Sequence, residues 1–228
     1  MNPGIPSGQQ SQFSYPFYQY VRDNSRVFDG ICAFQSPEDT LTVREAGNTG
    51  SGVGVAQGKM VSGNYFSVLG VRAILGRTLT PADDQPGAVS FNYWQTRLGG
   101  DRTVAGRVFD IDGVPTTVIG VAPRGFFGVR VMADSADFWM PLSLRPRIPL
   151  TVMPQAKGLL TDANFYWLDM MGRLKLGVTL QQARAETNAE LRQYLTGHAG
   201  SKISEADQQK IERAYVPLAA RFRLPPRT

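Results

Sequence analysis

One stretch leaves the backbone few choices: Val61-Ser-Gly-Asn-Tyr-Phe-Ser-Val-Leu-Gly-Val-Arg-Ala-Ile-Leu-Gly-Arg-Thr-Leu-Thr-Pro-Ala-Asp-Asp84. Ser62 or Asn64 can cap a helix start by accepting a backbone N–H, and Gly70 can take the left-handed conformation that closes it. The helix between them must be short, with Tyr65, Phe66, Val68 and Leu69 on its buried side. Gly76 and Arg77 lead into Thr80-Pro-Ala-Asp-Asp84. A tight surface corner is expected there, because proline presets φ and aspartate bonds to its own backbone. Nothing in the stretch is reactive, so it reads as a structural junction. The adjacent Asp83 and Asp84 point in different directions, which favours a solvated or capping turn over a metal site.

The same punctuation runs through the chain. With 24 Gly and 15 Pro in 228 residues, many turns and short elements are expected rather than long helices. The length fits one large domain or two modest ones, and the 42% hydrophobic content is enough for a core. Residues 2 to 12 read as a polar lead-in. A helix is predicted from Ser14 with Pro16 in its first turn, an apolar stripe of Phe17, Tyr20 and Val21, and a stop at Arg22–Ser25. Strands are predicted over Val27–Gln35, Leu41–Glu45 and Val53–Val61, with a turn at Ser36–Asp39 and a flexible loop at Gly47–Gly52. That loop lacks the G-x-G-x-x-G spacing that opens a helix over a nucleotide. Ser90 should cap a helix carrying Phe91, Trp94 and Leu98 and stopped by Gly99-Gly100. In Gly106–Val121, Asp112-Gly113 predicts a two-residue hairpin turn, with Pro115 at an edge or beside it. Pro123–Gly128 presents Phe126 and Phe127 and is expected to tuck under its own sheet. Asp137–Leu142 reads as a short strand stopped by Pro141.

Residues 143 to 163 carry Pro146, Pro149 and Pro154 and read as a linker. From Phe165, Tyr166, Leu168, Met170 and Leu174 share one strand face, with Asp169, Arg173 and Lys175 on the other. Thr179-x-x-Gln182 matches a capping box for a helix with Leu180, Ala183, Thr187, Leu191 and Leu195 on one face, ended by Gly197. Gln209–Val216 is predicted as a last strand, and Arg221–Thr228 as an exit segment.

Several function classes lose support from what the chain lacks. The net charge of +5 favours anionic partners in general, but the arginines are scattered, with one cluster at Arg221, Arg223 and Arg227. No basic stripe with interleaved aromatics occurs, so nucleic acid is not expected. The single Cys32 forms no internal disulfide and reads as a small buried hydrophobe. Ser-His-Asp or Cys-His catalysis would need the only histidine, His198. It follows a helix without a neighbouring carboxylate to orient it. One His and one Cys cannot make a zinc site, and neither a P-loop nor a nucleophile elbow is present. A glycosidase-type carboxylate pair leaves no sequence signature, since its partners need not be neighbours. No residue is assigned a catalytic, cofactor-binding or metal role. No apolar run reaches the roughly 20 residues of a membrane span. The N-terminal Met-Asn-Pro-Gly-Ile-Pro-Ser-Gly does not read as a signal peptide.

Taken in order, several motifs resemble a known family. They are Val61–Arg72, Leu75-Gly-Arg-Thr-Leu-Thr-Pro-Ala-Asp-Asp84, Tyr93-Trp-Gln-Thr-Arg-Leu-Gly-Gly-Asp101 and Gly106-Arg with its hairpin. Val118-Ile-Gly-Val-Ala-Pro-Arg-Gly-Phe126, Phe138-Trp-Met-Pro-Leu142 and Met171-Gly-Arg-Leu-Lys-Leu-Gly-Val-Thr179 complete the set. The series is similar to the periplasmic core domain of MacB-like ABC transporter permeases, whose membrane parts are FtsX-like. It is nearest to the acidobacterial duplicated-permease group and covers roughly residues 13 to 197. One departure stands out: where relatives carry a longer segment with a Pro-Val-Ala-Val strand, this chain has only Gln85–Asn92. A strand there is expected to be short or missing.

The resemblance implies an α+β fold with a discontinuous porter-like α/β subdomain (residues 1–85 and 146–228) and a smaller inserted α+β subdomain (86–145). Val61–Asp84 would then mark where the chain leaves the porter-like part. It further implies a non-catalytic periplasmic domain of an inner-membrane permease, needing no cofactor. Such a domain couples ATP-driven movement of membrane helices to export or partner binding. Its partners would be the flanking transmembrane helices, a cytoplasmic ATPase domain or subunit, and a homodimer mate or a periplasmic adaptor protein. The Arg221, Arg223 and Arg227 cluster could meet anionic headgroups. A ligand- or partner-sensing domain without transport is the alternative, and a soluble enzyme the remote one.

Overall fold

Short elements separated by glycine and proline turns make up the computed structural model, which describes residues 12–35, 38–46, 54–83, 86–129, 136–148, 158–198 and 204–218. In chain order they are α1 (Tyr15–Asn24), β1 (Phe28–Gln35), β2 (Asp39–Glu45), β3 (Gly54–Val61), α2 (Tyr65–Leu69), β4 (Leu75–Gly76) and β5 (Gly87–Val89). Then come α3 (Phe91–Arg97), β6 (Val108–Ile111), β7 (Val114–Val121), β8 (Phe138–Pro141), β9 (Leu168–Leu174), α4 (Leu180–His198) and α5 (Glu205–Arg213). A 3-10 helix over Leu142–Arg147 leaves β8 directly. The fold is α+β. The chain forms two compact units, one of Met1–Ala33 with Gly158–Thr228 and one of Phe34–Lys157. The strands over residues 39–61 therefore group with the Asp-Gly hairpin rather than with the chain termini.

In the Phe34–Lys157 unit the sheet closes on itself. β3 pairs with β2, β2 with β6, β6 with β7, β7 with β5, β5 with β8, and β8 again with β3. Six strands thus form a ring, and β4 adds to β7. Alternation decides what fills it. β2 buries Asp39, Leu41 and Val43 and exposes Thr40, Thr42 and Arg44; β7 buries Val114, Thr116 and Val118. Leu41 crowds β3 so closely that a Cβ at Gly58 would lie 2.1 Å from its Cδ1, so a larger residue there would have to displace the Leu41 side chain. The Gln85–Asn92 segment, where a strand is expected to be short or missing, supplies β5, three residues long.

The turns follow their chemistry. Asp112 (φ 48°) and Gly113 (φ 83°) are both left-handed, as a primed hairpin turn requires. Pro115 sits beside the turn, opposite Asp110. Ser90 caps α3, its Oγ accepting from the Tyr93 N–H at 3.0 Å. Asn64 rather than Ser62 occupies the α2 cap position, although its side chain makes no cap bond and instead accepts from the Ser62 hydroxyl at 2.7 Å. All four β8 residues are buried, because Trp139 is covered on its own side by the rings of Phe66 (5.7 Å) and Phe126 (5.3 Å). Phe126 is therefore the tucked aromatic of the Pro123–Gly128 loop, while Phe127 stays 42% exposed.

In the other unit, Ser14 caps α1 by accepting from the Phe17 N–H at 3.3 Å, with Pro16 in the first turn. Phe13 bridges Leu168 at the start of β9. Gly172 of β9 lets Phe28 approach to a distance that any Cβ would violate. The Thr179–Gln182 capping box forms, with Gln182 N donating to Thr179 Oγ1 at 3.2 Å and Thr179 N donating to Gln182 Oε1 at 2.8 Å. α1 packs on α4 through Phe17 and Tyr20, whose rings lie 5.1 and 5.3 Å from that of Tyr194.

Three expectations for this unit are corrected. The strand begins at Leu168 rather than Phe165, and beyond Leu168 its residues are half-buried on both faces. Gly197 does not end α4, which runs through His198. The ring nitrogen Nδ1 of that histidine meets the Tyr194 carbonyl oxygen at 2.9 Å, prolonging the last turn. The predicted strand over Gln209–Val216 is for the most part helix α5. Ser204 caps it by accepting from the Asp207 N–H at 3.1 Å. Glu205 and Asp207 occupy the first turn and Lys210 and Arg213 the last, the charge order that a helix dipole favours. The first two predicted strands form, at Phe28–Gln35 and Asp39–Glu45. The polar lead-in, the Gly47–Gly52 loop and the exit segment lie almost wholly outside the described residues.

Gly70 closes α2 at φ 73°, where Gly70 N and Val71 N donate to Ser67 O and Phe66 O at 3.2 and 2.8 Å. A β-branched residue in that conformation costs about 2 kcal/mol. Gly70→Val should therefore lower the melting temperature by roughly 5 °C; an unchanged melting curve would refute this role for the glycine.

Candidate functional site

Helix α4 ties distant chain segments together through three nearby side chains. Glu186 Oε1 accepts from Ser25 Oγ at 2.8 Å, Arg26 N at 2.7 Å and Val27 N at 3.1 Å, and so fixes the corner between α1 and β1. Arg184 donates through Nε and Nη2 to the Leu218 carbonyl at 2.9 and 2.6 Å. The planar guanidinium makes such two-pronged grips possible at little entropic cost. Asn188 Oδ1 accepts from Val216 N at 2.7 Å. Burial alone would raise the Glu186 carboxyl. The bonds from Ser25, Arg26 and Val27 and the charge of Arg26 outweigh it and hold the group below its usual range.

The inner face of α4 is less well served. Thr187 and Glu190 are buried, 1% and 8% exposed, yet among the described residues Thr187 Oγ1 and Glu190 Oε2 have no hydrogen-bond partner. Burial, then the field of the Glu186 carboxylate, pushes the Glu190 carboxyl up to about 7.

In the Phe34–Lys157 unit a second polar group is closed off. Lys59 is paired with Glu38, and its Nζ lies 5.2 Å from the centre of the Phe34 ring. Gln35 Nε2 donates to Asp39 Oδ2 at 2.8 Å, and Arg145 of the 3-10 helix donates through Nη1 to the Ile148 carbonyl. Burial raises the Asp39 carboxyl, opposed by the Gln35 bond and by Arg145. Burial lowers the Arg145 pKa, opposed by Asp39. Lys59, Asp39 and Arg145 are at most 5% exposed, so these charges hold strand ends and the 3-10 helix together rather than facing a substrate. Removing one partner from such a group costs far more than the pair contributes.

The residues singled out in the sequence are dispersed. Cys32 is fully buried, and burial pushes its thiol up to about 12, out of the nucleophilic range. His198 ends α4 with its ring over Tyr194, centroids 4.0 Å apart. Asp83 is a corner residue: Arg77 grips it with two bonds of 2.7 Å, and it accepts from Thr80 N at 2.7 Å. The Arg77 bond holds its carboxyl down near about 2, against burial. Asp84 and the arginines at 221, 223 and 227 lie outside the described residues. Among the described residues no three His, Cys, Asp or Glu gather as metal ligands. The α4 bonds and the buried charges were not visible in the sequence. Glu186 and Glu190 lie outside the apolar face read for this helix, and Lys59 lies within the strand predicted over Val53–Val61.

The family described as MacB-like periplasmic core domain matches residues 1–190. Among solved structures, the periplasmic region of MacB from Actinobacillus actinomycetemcomitans is similar in fold. Its TM-score is 0.56 at 16% identity, over 81% of this chain and 75% of that one. A domain of a putative permease protein from Porphyromonas gingivalis aligns with TM-score 0.58 and 15% identity, over 88% of this chain and 76% of that one. The extracellular domain of the noncanonic ABC-type transporter YknZ from Gram-positive bacteria aligns with TM-score 0.56 and 15% identity, over 86% and 94%. No curated protein sequence matches.

Two substitutions test the bonding described above. Glu186→Gln keeps the shape but removes the charge that three donors share, and should destabilise the chain by about 1.5 kcal/mol. Arg77→Ala should let the Asp83 carboxyl titrate back toward its ordinary value while costing less than about 1 kcal/mol, the pair being exposed on the arginine side. Chemical denaturation checks the first, and a carboxyl-detected NMR titration the second. Wild-type stability in Glu186→Gln, or an unmoved Asp83, would contradict the assigned roles.

Proposed function

Because the chain belongs to the MacB-like periplasmic core domain family, the extracytoplasmic part of ABC transporter permease-like proteins, we propose that it is a non-catalytic module which relays movement. ATP hydrolysis on a cytoplasmic ATPase domain or subunit would shift the flanking transmembrane helices. The domain would pass that displacement to a homodimer mate or a periplasmic adaptor protein, driving export or partner binding. The observation that carries this reading is the bonding of α4. One helix grips both the Ser25–Val27 corner near the start of the chain and the Val216–Leu218 segment near its end. Strain entering along either segment reaches the same rigid rod, and packed elements move as bodies rather than bending.

A division into a porter-like part built from both ends of the chain and a part inserted between them belongs to the same proposal, with the inserted part taken as Phe34–Lys157 rather than 86–145. Its support is that the first and last stretches of the chain share one compact unit. The buried thiol of Cys32 and the helix-bound ring of His198 support the non-catalytic assignment. No cargo follows from the fold, since one scaffold serves many substrates.

The test is made in the parent permease with its ATPase. Excising this domain between its flanking helices should abolish ATP-driven export while leaving ATP hydrolysis measurable. Undiminished export would overturn the relay and favour a domain that senses a ligand or partner without transport.

A further inference from the structure

We propose that Glu190 is a proton-binding site on the inner face of α4, and that its occupancy sets how firmly the neighbouring Glu186 holds the corner between α1 and β1. The two carboxylates stand at i and i+4 on one helix, about 6 Å apart at their Cβ atoms, and repel each other when both are charged. Their surroundings differ. Glu186 serves two backbone N–H groups and one hydroxyl as an acceptor, a role that only the ionised form fills well. Glu190 is 8% exposed and, among the described residues, its Oε2 has no donor to meet it. A buried carboxylate without a donor is costly, whereas a carboxylic acid is not. The proton shared by such a pair therefore resides on Glu190.

Other charges near the helix do not change this. Among the described residues, Glu186 is the one charged group whose field acts on Glu190, and it favours the protonated form. On α1, Arg22 is paired with Asp23; on α5, Lys210 is paired with Asp207. Tyr194, one turn further along α4, has its phenol raised by burial and stays neutral near neutral pH. The carboxyl of Glu190 titrates at about 7, so small changes around neutrality would move its charge.

The consequence has a definite sign. A carboxyl with a raised folded pKa binds more protons in the folded than in the unfolded chain between its ordinary value and about 7. Its contribution to stability falls as pH rises through that window and levels off above it. Ionised Glu190 repels Glu186 and draws water into the α4 face, which weakens the grip on Ser25, Arg26 and Val27. This goes beyond the relay role, and its failure would leave that role standing.

The experiment uses the full chain and its Glu190→Gln variant, melted between about pH 5.5 and about pH 8.5. The wild type should lose roughly 5 °C more than the variant over that range. Hydrogen exchange at the Arg26 and Val27 amides should accelerate with pH beyond the chemical rate in the wild type only. Equal pH slopes in both proteins would overturn the proposal. Should the variant not fold, a carboxyl NMR titration of the wild type decides: a Glu190 midpoint near 7 supports the site, and an ordinary glutamate midpoint overturns it. Sodium chloride compared with choline chloride at equal ionic strength and high pH separates a proton from a metal cation. Selective stabilisation of the wild type by sodium would also overturn the proton assignment.

Discussion

The Phe34–Lys157 unit depends on β3 having a partner on each side. It pairs antiparallel with β2 over Asp39–Val43 and parallel with β8 over Phe138–Pro141. Without either ladder the ring opens, and its buried face loses the enclosure that keeps Leu41, Met60, Ile111 and Phe138 from water. The parallel pairing is the demanding one, since it joins strands separated by a long stretch of chain and its loop entropy must be met before any contact is gained. The burial of Trp139 beneath Phe66 and Phe126 compensates on the outer side. The short α2 and the Pro123–Gly128 loop thus serve the ring rather than standing apart from it.

Local chemistry made much of this legible in the sequence. The Asp112-Gly113 turn, the helix start at Ser14, the Ser90 cap, the Gly70 exit and the Thr179–Gln182 box all appear as read, because each depends on residues within a few positions. The α5 segment was misread for a related reason. Ser204 and Asp207 form a cap signature that precedes the stretch predicted as a strand, and the order of charges from Glu205 to Arg213 suits a helix. The family resemblance, read from motifs of the same local kind, agrees with the match over residues 1–190.

What stayed hidden was everything set by long-range pairing. Ring closure requires β2 to find β6 nearly seventy positions away, at Val43↔Ile111, and no periodicity announces that. The grip of Glu186 on Ser25–Val27 spans a similar gap in kind: its donors are backbone amides, which every sequence possesses. Lys59 illustrates the limit most plainly. Its register places it on the outer side of β3, where a lysine ordinarily meets solvent, and only the cover provided by Glu38 and Phe34 buries it.

The closed ring also restricts how this unit can be recognised. Where a ring strand is paired on both sides, as at Val43 between Gly54 and Ile111 or at Ala88 between Gly120 and Trp139, an added strand would have to displace an existing one. Backbone-directed addition, the mode that reads any extended peptide with little regard to its residues, is closed at those positions. Selectivity there comes from side chains standing on the outer surface, such as Thr40, Thr42 and Arg44 of β2. Those positions contribute little to the core, so their identity can change without disturbing the buried face of the ring.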